Sequence, residues 1–442
     1  MKIAVIGCTH AGTAAILNAA ELYPEAEITV YERNDNISFL SCGIALYVGG
    51  VVKDPEGLFY CSPEKLAELG VKTKMKHDVL DVNIDQKELT VKDLETEKEF
   101  KDNFDKLIIT TGSWPIEPNI EGKDLNNILL SKNFYHSNTI IERAKDAKNV
   151  VVVGAGYIGV ELVEAFEQNG KNVTLIDAQD RILSKYLDKE YTDKAEEAFK
   201  KHNVKLALGE TVNKFEGKDG NVSKVITTGG EYDADLVIMC IGFMPNTHLF
   251  KGQLDMLDNG AIIIDDYMRT SREDVFAAGD ACAVIYNPTD ERRYIPLATN
   301  AVRMGTLVAR NLVKPTTKYM GTQGTSGIKI YEHNIASTGL TEESAKDMGL
   351  DIETVTITDN YRPEFMPTYD EATLKVVYKK DSRVILGAQI ISNADLTQSI
   401  NTMSVVIQNK MTIDQLGFID FFFQPHFNKP WNILNQAGLN AK

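Results

Sequence analysis

The stretch NVVVVGAGYIGVELVEAFEQNGKNVTLID, residues 149–177, decides the fold of this chain. It begins as an apolar strand, passes through a glycine-rich turn into a helix, and ends with a second strand that closes on Asp177. The interval from Gly154 to Asp177 is 23 residues (177 − 154), close to the ~20 expected in a dinucleotide-binding βαβ unit. Such a turn lets a pyrophosphate approach backbone N–H groups at the helix N-terminus, and the acid binds a ribose diol.

A second copy of this plan lies at the N-terminus. The strand KIAVIG runs into a turn at residues 7–12, and the strand AEITVYE ends at Glu32, 25 residues after Gly7 (32 − 7). This turn departs from the glycine pattern, because Thr9 stands where the second glycine is expected. Two complete units imply two dinucleotides. FAD with a nicotinamide is the economical pair, because a hydride then passes between them.

Asp177 also bears on the choice of nicotinamide. Its carboxylate is expected to repel the 2′-phosphate of NADP, and residues 178–180 provide no arginine to bind that phosphate. The sequence therefore predicts NADH, although Arg181 is near enough along the chain to leave NADPH open.

Composition excludes several classes of protein. The net charge of −16 disfavours binding to nucleic acid or to an anionic membrane. The longest apolar run, residues 150–160, covers 11 positions, whereas a membrane span needs about 20. The five cysteines show no CxxC spacing, so neither a disulfide scaffold nor a metal site is predicted. We expect a soluble cytoplasmic protein.

One cysteine has a distinctive setting. Cys42 lies in SFLSCG, residues 38–43, shortly after the acid of the first unit. If a helix starts here, the thiol sits at its N-terminus, where the dipole favours the thiolate. The alternative is that Cys42 is a small buried hydrophobic residue.

These motifs together resemble the flavoprotein disulfide reductase family. The similarity covers essentially the whole chain and is carried by GCTHAG, SFLSCG, LIITTGSWP, VVVGAGYIGVE, CIGFMPNT, DVFAAGD, PLATNAVRMG and FFFQPHFNKPWN. No second cysteine lies near Cys42, so the chain resembles the single-cysteine branch: NADH oxidases, NADH peroxidases and coenzyme A disulfide reductases. Within that branch it is most similar to the water-forming NADH oxidases.

The resemblance implies an α/β fold of the glutathione-reductase type. Residues 1–113 and 244–315 are expected to form an FAD-binding domain, split around an NADH-binding domain at 114–243. Both would be Rossmann-like. Residues 316–442 would form an α+β dimerisation domain, giving a homodimer and leaving a tetramer open.

The resemblance also assigns site residues by position. For FAD it implies Gly7, Thr9, Ala11, Gly12, Glu32, Arg33, Cys42, Thr111, Gly112, Asp280, Leu297, Ala298 and Thr299. For NADH it implies Gly154, Gly156, Tyr157, Ile158, Gly159, Glu161, Asp177 and Gly242, with Tyr157 gating the nicotinamide pocket. Cys42 and His10 would be catalytic, and Phe423 and His426 of the partner subunit would close the pocket. Each also has a plainer interpretation as a packing or surface residue.

The implied reaction is the four-electron reduction of O2 by NADH to two H2O. It would pass through a flavin hydroperoxide, then H2O2, and a sulfenic acid on Cys42. The alternatives are an NADH peroxidase, a coenzyme A disulfide reductase and a redox sensor without turnover. In the peroxidase pattern a basic residue directly follows Asn-Ala, whereas Val302 follows Asn300-Ala301 here and Arg303 comes one later. That difference favours the oxidase. The C-terminal segment has phenylalanines where a coenzyme A enzyme is expected to have tyrosines.

Overall fold

The N-terminal part forms the first βαβ unit and a hairpin sheet. The computed structural model describes residues 1–442. Up to residue 115 its helices and strands are β1 (Lys2–Ile6), α1 (His10–Leu22), β2 (Glu27–Glu32), α2 (Ile44–Val48), α3 (Pro63–Glu68), β3 (Lys72–Met75), β4 (His77–Asn83), β5 (Glu88–Asp93), β6 (Glu99–Asn103), β7 (Lys106–Ile109) and β8 (Ser113–Pro115). Strand β1 is apolar and buried along nearly its whole length, as expected inside a parallel sheet covered on both faces. Strands β4–β6 form an antiparallel sheet.

The middle of the chain forms the second unit. Its elements are β9 (Ile128–Leu130), α4 (Phe134–Ala144), β10 (Asn149–Val153), α5 (Tyr157–Gln168), β11 (Asn172–Asp177), α6 (Lys189–Lys201), β12 (Lys205–Leu208), β13 (Val212–Lys218), β14 (Asn221–Thr227), β15 (Glu231–Asp233), β16 (Leu236–Met239) and β17 (Phe243–Pro245). A parallel sheet has the order β12-β11-β10-β16-β9, and β13–β15 form a separate antiparallel sheet. The chain enters and leaves this unit through β8 and β17, which pair antiparallel.

The chain then returns to the first unit. The elements here are β18 (Ile262–Ile263), β19 (Val275–Ala277), β20 (Cys282–Tyr286), β21 (Glu291–Arg293) and α7 (Ala298–Asn311). Strand β19 completes a parallel sheet of order β19-β7-β1-β2-β3. Helix α7 packs against α1 so closely that a Cβ at Gly305 would collide with the backbone oxygen of Ala11. One hydrophobic core joins residues before 110 to residues after 249.

The C-terminal part is an antiparallel sheet covered by helices. Its elements are β22 (Ser326–Ile330), β23 (His333–Gly339), α8 (Glu342–Asp347), β24 (Ile352–Asn360), β25 (Glu371–Lys379), β26 (Ile385–Ser392), α9 (Ser399–Gln408), α10 (Ile413–Leu416) and α11 (Ile433–Asn440). The strand order is β22-β23-β26-β25-β24. The predicted α/β class, with two parallel-sheet units and a C-terminal α+β part, is confirmed.

The segment that contains Cys42 packs on the second unit rather than on the first. Phe39, Ile44 and Val48 belong to the core built around β10 and α5. A Cβ at Gly49 would lie 3.3 Å from the Cβ of Ala165 in α5. Helix α2 therefore bridges the two units. None of the helices has the length and apolar character needed to cross a membrane.

Candidate functional site

The first glycine turn joins β1 to α1 and leaves no room for side chains. Gly7 has a φ of +89°, and a Cβ there would lie 2.5 Å from the backbone oxygen of Thr110. A Cβ at Gly12 would collide with the backbone oxygen of Gly7. Glu32, at the end of β2, accepts a hydrogen bond of 2.9 Å from the backbone N–H of Cys8. Burial raises the pKa of Glu32. The structure thus brings the predicted glycines and acid together.

The second turn repeats this geometry between β10 and α5. Gly154 has a φ of +110°, and a Cβ at Gly159 would collide with the backbone oxygen of Gly154. The position of a Cβ at Gly156, by contrast, is open space. Asp177 accepts a hydrogen bond of 2.5 Å from the backbone N–H of Ala155. This contact corresponds to the one between Glu32 and Cys8 in the first unit.

Most other predicted binding residues follow strands or begin helices at these same edges. They are Thr9, Ala11, Thr111, Gly112, Asp280, Leu297, Ala298 and Thr299 in the first unit, and Ile158 and Gly242 in the second. Arg33 differs, because its exposed guanidinium forms a 2.9 Å ion pair with Asp78. Its role at a nucleotide stays a prediction.

Cys42 is the only exposed cysteine of the five. It lies in a 3-10 turn, Ser41–Gly43, directly before α2. Burial of the thiol by surrounding groups raises the pKa of Cys42, and the charges of Glu161 and Asp280 raise it further. Lys132 opposes them and lowers it. In the chain alone, burial and two carboxylates therefore shift the pKa of Cys42 upward, and the stabilisation of the thiolate by the helix N-terminus stays a prediction.

A charged cluster lies beside this cysteine. Lys132 donates a hydrogen bond of 2.9 Å from Nζ to Oγ of Ser113. Ser113 in turn donates to Oδ2 of Asp280 at 2.8 Å, and the Lys132 ammonium lies 3.8 Å from that oxygen. Burial lowers the pKa of Lys132, while Asp280 and Cys42 raise it. The ammonium of Lys132 is thus close enough to interact electrostatically with both Cys42 and Asp280.

Several buried polar atoms of the first unit have no partner within the chain. They are Nε2 of His10, Oγ1 of Thr111 and the hydroxyl of Tyr294. Burial lowers the pKa of His10 despite the opposing charge of Asp280, whereas burial and then the charge of Asp280 raise the pKa of Tyr294. Buried polar groups in folded proteins are nearly always hydrogen-bonded. The hydroxyls of Thr111 and Tyr294, together with the tight glycine turn, fit a polar dinucleotide such as FAD.

Tyr157 and Glu161 lie on α5, at the edge where the predicted nicotinamide site opens. The hydroxyl of Tyr157 forms a 2.8 Å hydrogen bond with Oγ of Ser326 in β22, and its ring lies 4.5 Å from that of Tyr186 between centroids. Burial, and then the charge of Glu164, raises the pKa of Glu161 to about 7. A carboxylic acid that titrates near neutrality therefore lies close enough to Cys42 to influence its pKa.

Phe423 and His426 do not join this site within one chain. Both are exposed, and His426 forms hydrogen bonds with Gln424 and, through its backbone oxygen, with Arg362. Their predicted contribution from the partner subunit to the pocket around Cys42 stays a prediction.

Sequence reasoning missed three residues of the site: Lys132, Tyr60 and Tyr294. Lys132 follows β9, the outermost strand of the second parallel sheet, and ligands of such sheets bind at the carboxyl ends of strands. The position of Lys132 at the carboxyl end of β9 could therefore have identified it as a candidate site residue. Tyr60 and Tyr294 lie in loops without a motif, and only folding brings them to His10 and Asp280.

Two family models match the chain. The model described as pyridine nucleotide-disulphide oxidoreductase covers residues 1–305. The model for the dimerisation domain of the same family covers residues 325–433.

The chain is similar to proteins named NADH oxidase. It is 58% identical to one from Enterococcus faecalis, covering 98% of each chain. Among solved structures, it matches the water-forming NADH oxidase from Lactobacillus brevis bound to NADH, with 54% identity and a TM-score of 0.98 over 99% of this chain and 97% of that one. It also matches a water-forming NADPH oxidase engineered from that enzyme, with 53% identity and a TM-score of 0.98 over 99% and 98%.

Proposed function

The chain belongs to the pyridine nucleotide-disulphide oxidoreductase family, and from that premise we propose that it is an FAD-dependent NADH oxidase that reduces O2 to two H2O. The observation that carries the proposal is the single exposed cysteine, Cys42, in the turn directly before the helix that bridges the two units. The relatives named NADH oxidase support the same reaction.

FAD is assigned to the first unit. Its pyrophosphate would lie on the turn at residues 7–12, beside Thr9, Ala11 and Glu32. Arg33, Thr111, Gly112, Asp280 and the start of α7 at Leu297, Ala298 and Thr299 complete the predicted set. We add Lys132 and Tyr294 to this set of FAD-binding residues. The Lys132 ammonium lies 3.8 Å from Oδ2 of Asp280, and the charge of Asp280 contributes to the raised pKa of Tyr294. When bound, the flavin supplies hydride acceptance and electron transfer to oxygen.

NADH is assigned to the second unit, at Gly154, Gly156, Ile158, Gly159, Asp177 and Gly242, with Tyr157 and Glu161 beside the nicotinamide. The preference for NADH over NADPH is supported by Arg181, the one arginine that left NADPH open. Its guanidinium donates a 2.7 Å hydrogen bond to the backbone oxygen of Leu187 and forms an ion pair with Glu343. Its side chain is 9% exposed, so the cation is engaged away from a 2′-phosphate.

Cys42 is assigned the reduction of H2O2 formed from O2. The thiolate sulfur forms a bond to one peroxide oxygen as the O–O bond breaks, so sulfur loses two electrons and peroxide gains them. The proton of the attacked oxygen ends on the leaving oxygen, which departs as water and leaves a sulfenate on Cys42. Two electrons from a second NADH restore the thiol and release the second water. Lys132 aids this step by lowering the pKa of Cys42.

The domain division at residues 113/114, 243/244 and 315/316 is proposed together with a homodimer. The C-terminal part matches the family's dimerisation domain. Its aromatic segment leaves four side chains more than half exposed: Phe418, Phe422, Phe427 and Trp431. Such an apolar patch is typical of an interface, and in the dimer Phe423 and His426 would reach the partner's Cys42. A tetramer and a cytoplasmic location stay predictions.

The test is the ratio of NADH oxidised to O2 consumed, measured with and without catalase. The proposal expects a ratio near two that catalase does not change. Cys42→Ser should shift the ratio toward one and release peroxide, whereas Cys61→Ser, which changes a buried thiol, should behave like the parent.

Other outcomes would identify a different function. A parent ratio near one, with catalase returning oxygen, would contradict the proposal. NADH oxidation that requires added peroxide would indicate an NADH peroxidase, and oxidation that requires coenzyme A disulfide would indicate that reductase. Oxidation that stops after a few NADH per flavin would indicate a redox sensor.

A further inference from the structure

Tyr60 contacts the imidazole of His10 in two ways. Its hydroxyl lies 3.0 Å from Nδ1 of His10. The two rings are nearly parallel, with an interplanar angle of 4° and centroids 5.8 Å apart. His10 is the first residue of α1, so its backbone is held by the helix while Tyr60 holds its ring. Both the orientation and the tautomer of the His10 imidazole therefore depend on Tyr60, which lies in a loop distant from α1 in the sequence.

The chemistry of the two groups decides which of them donates the hydrogen. Burial raises the pKa of Tyr60 to about 12, so its hydroxyl keeps its proton at neutral pH. Burial also lowers the pKa of His10, which favours the neutral imidazole. A neutral imidazole has one N–H donor and one acceptor nitrogen. If Tyr60 donates to Nδ1, the imidazole proton must be on Nε2.

Nε2 is the ring nitrogen of His10 that Tyr60 does not contact. It is buried and has no hydrogen-bond partner within the chain. The charges of Asp280 and Lys132 act on the pKa of His10 and also on that of Cys42, so both side chains lie within range of the same two charges. A buried N–H without an acceptor is unfavourable, and an incoming peroxide oxygen supplies one.

We propose that Tyr60 is a positioning residue: its hydroxyl donates to Nδ1 of His10 and holds the imidazole as a donor through Nε2 toward the oxygen that leaves when Cys42 attacks peroxide. The inference rests on the proposed function. The Nε2–H group stabilises the negative charge that develops on the leaving oxygen as the O–O bond breaks. No net proton is taken from His10, because the proton of the attacked oxygen completes the water.

The first test reads the tautomer directly. Nitrogen NMR of the holoenzyme labelled with ¹⁵N-histidine distinguishes Nδ1–H from Nε2–H, and His10→Gln identifies the signal by its loss. We expect Nε2–H in the parent and a mixture of tautomers in Tyr60→Phe. Tyr135→Phe is the matched control, because the Tyr135 hydroxyl also forms a hydrogen bond, to Asp35 away from Cys42. Nδ1–H in the parent, or an unchanged signal in Tyr60→Phe, would overturn the proposal.

The second test measures the chemical step alone. Reduced enzyme is mixed with H2O2 without O2, and sulfenate on Cys42 is trapped with a dimedone-type reagent and followed by mass spectrometry. Loss of the orienting hydrogen bond in Tyr60→Phe should slow this step several-fold, up to about tenfold, while reduction by NADH keeps its rate. Tyr60 is 45% exposed, so phenylalanine leaves no buried cavity. Equal rates of sulfenate formation in Tyr60→Phe and the parent would refute the role.

The two tests separate this inference from the proposed function. A parent ratio of NADH to O2 near one would defeat the oxidase assignment without altering the measured tautomer of His10. An oxidase with a ratio near two but with His10 protonated on Nδ1 would defeat the role of Tyr60 alone.

Discussion

At the scale of single residues, burial changes the acid–base chemistry of this site more than sequence position does. Cys42 and Glu161 both have raised pKa values because the surrounding protein removes water from them. Their charges are coupled, since a negative Glu161 further raises the pKa of Cys42. Lys132 is the compensating cation.

Glu161→Gln is expected to stabilise the protein above neutral pH. The folded state holds the proton of Glu161 more tightly than the unfolded state, with a pKa of about 7 against 4.5. The parent therefore loses stability as pH rises from 4.5 to 7, and the loss is complete above 7. Glutamine removes this loss, which amounts to at most about 3 kcal/mol.

Thermal melting at pH 5 and pH 8 checks this prediction. The variant should melt above the parent at pH 8, and the difference should shrink at pH 5. Glu197→Gln, on the exposed face of α6, is the control and should follow the parent. A constant difference at both values of pH would contradict the assignment.

At the scale of elements, a short set of polar contacts holds the C-terminal aromatic segment against the sheet. Asp359, near the end of β24, accepts a hydrogen bond of 2.7 Å from Nζ of Lys429 and one of 3.1 Å from Nε2 of Gln436 in α11. His426 precedes Lys429 in the same segment, so these contacts also restrain the position of His426 relative to the sheet.

Asp359→Asn is expected to loosen this segment. Burial raises the pKa of Asp359, but the bonds from Lys429 and Gln436 lower it overall. A lowered pKa means that the interaction is present above the unfolded value of 3.8 and is lost as pH falls through the folded value. Asparagine imitates the acidic condition at neutral pH and should cost about 1 kcal/mol or less, because the ion pair is partly exposed.

Amide hydrogen exchange, measured by mass spectrometry over residues 418–436, checks whether Asp359→Asn loosens this segment. Exchange there should be several-fold faster in Asp359→Asn and unchanged in Asp420→Asn, which alters an exposed acid of the same segment. Equal exchange in both variants would show that apolar packing alone holds the segment.

At the scale of the whole molecule, a buried charged network joins the second unit to the C-terminal part. Lys375 of β25 is 6% exposed and lies 3.2 Å from Asp188, 2.7 Å from Glu190 and 2.5 Å from Glu342. Asp188 also exchanges two hydrogen bonds of 2.7 Å with Gln389. Burial lowers the pKa of Lys375, but the hydrogen bonds that its ammonium donates to Glu190 and Glu342 raise it overall.

Lys375→Met is expected to destabilise the protein strongly. It leaves the buried Asp188 without its cation, and removing one partner of a buried ion pair typically costs about 3–5 kcal/mol. Differential scanning calorimetry should show a lower Tm or a split transition. Lys380→Met, which removes a lysine with an exposed partner at 3.3 Å, should change the Tm little. A Tm for Lys375→Met equal to the parent's would show that apolar packing alone couples the two parts.

The two glycine turns were predictable because their chemistry is local. A tight βα turn needs glycine at Gly7 and Gly154, and an acid at the end of the next strand folds back onto the residue after that glycine. Chain proximity guarantees this geometry. The environment of Cys42 was not predictable in the same way, because Lys132 and Asp280 come from positions 90 and 238 residues further along the chain (132 − 42 and 280 − 42).

The sequence by itself determined the fold class and the two nucleotide units, since periodic apolar strands, glycine turns and terminal acids act over short distances, whereas the resemblance of SFLSCG to the family pointed to Cys42. Only the tertiary structure decided the direction in which the pKa of the Cys42 thiol is shifted, the ion pair of Arg181 with Glu343 and the pairing of Tyr60 with His10. These properties depend on burial and on contacts between distant segments, and both are set when the units pack together.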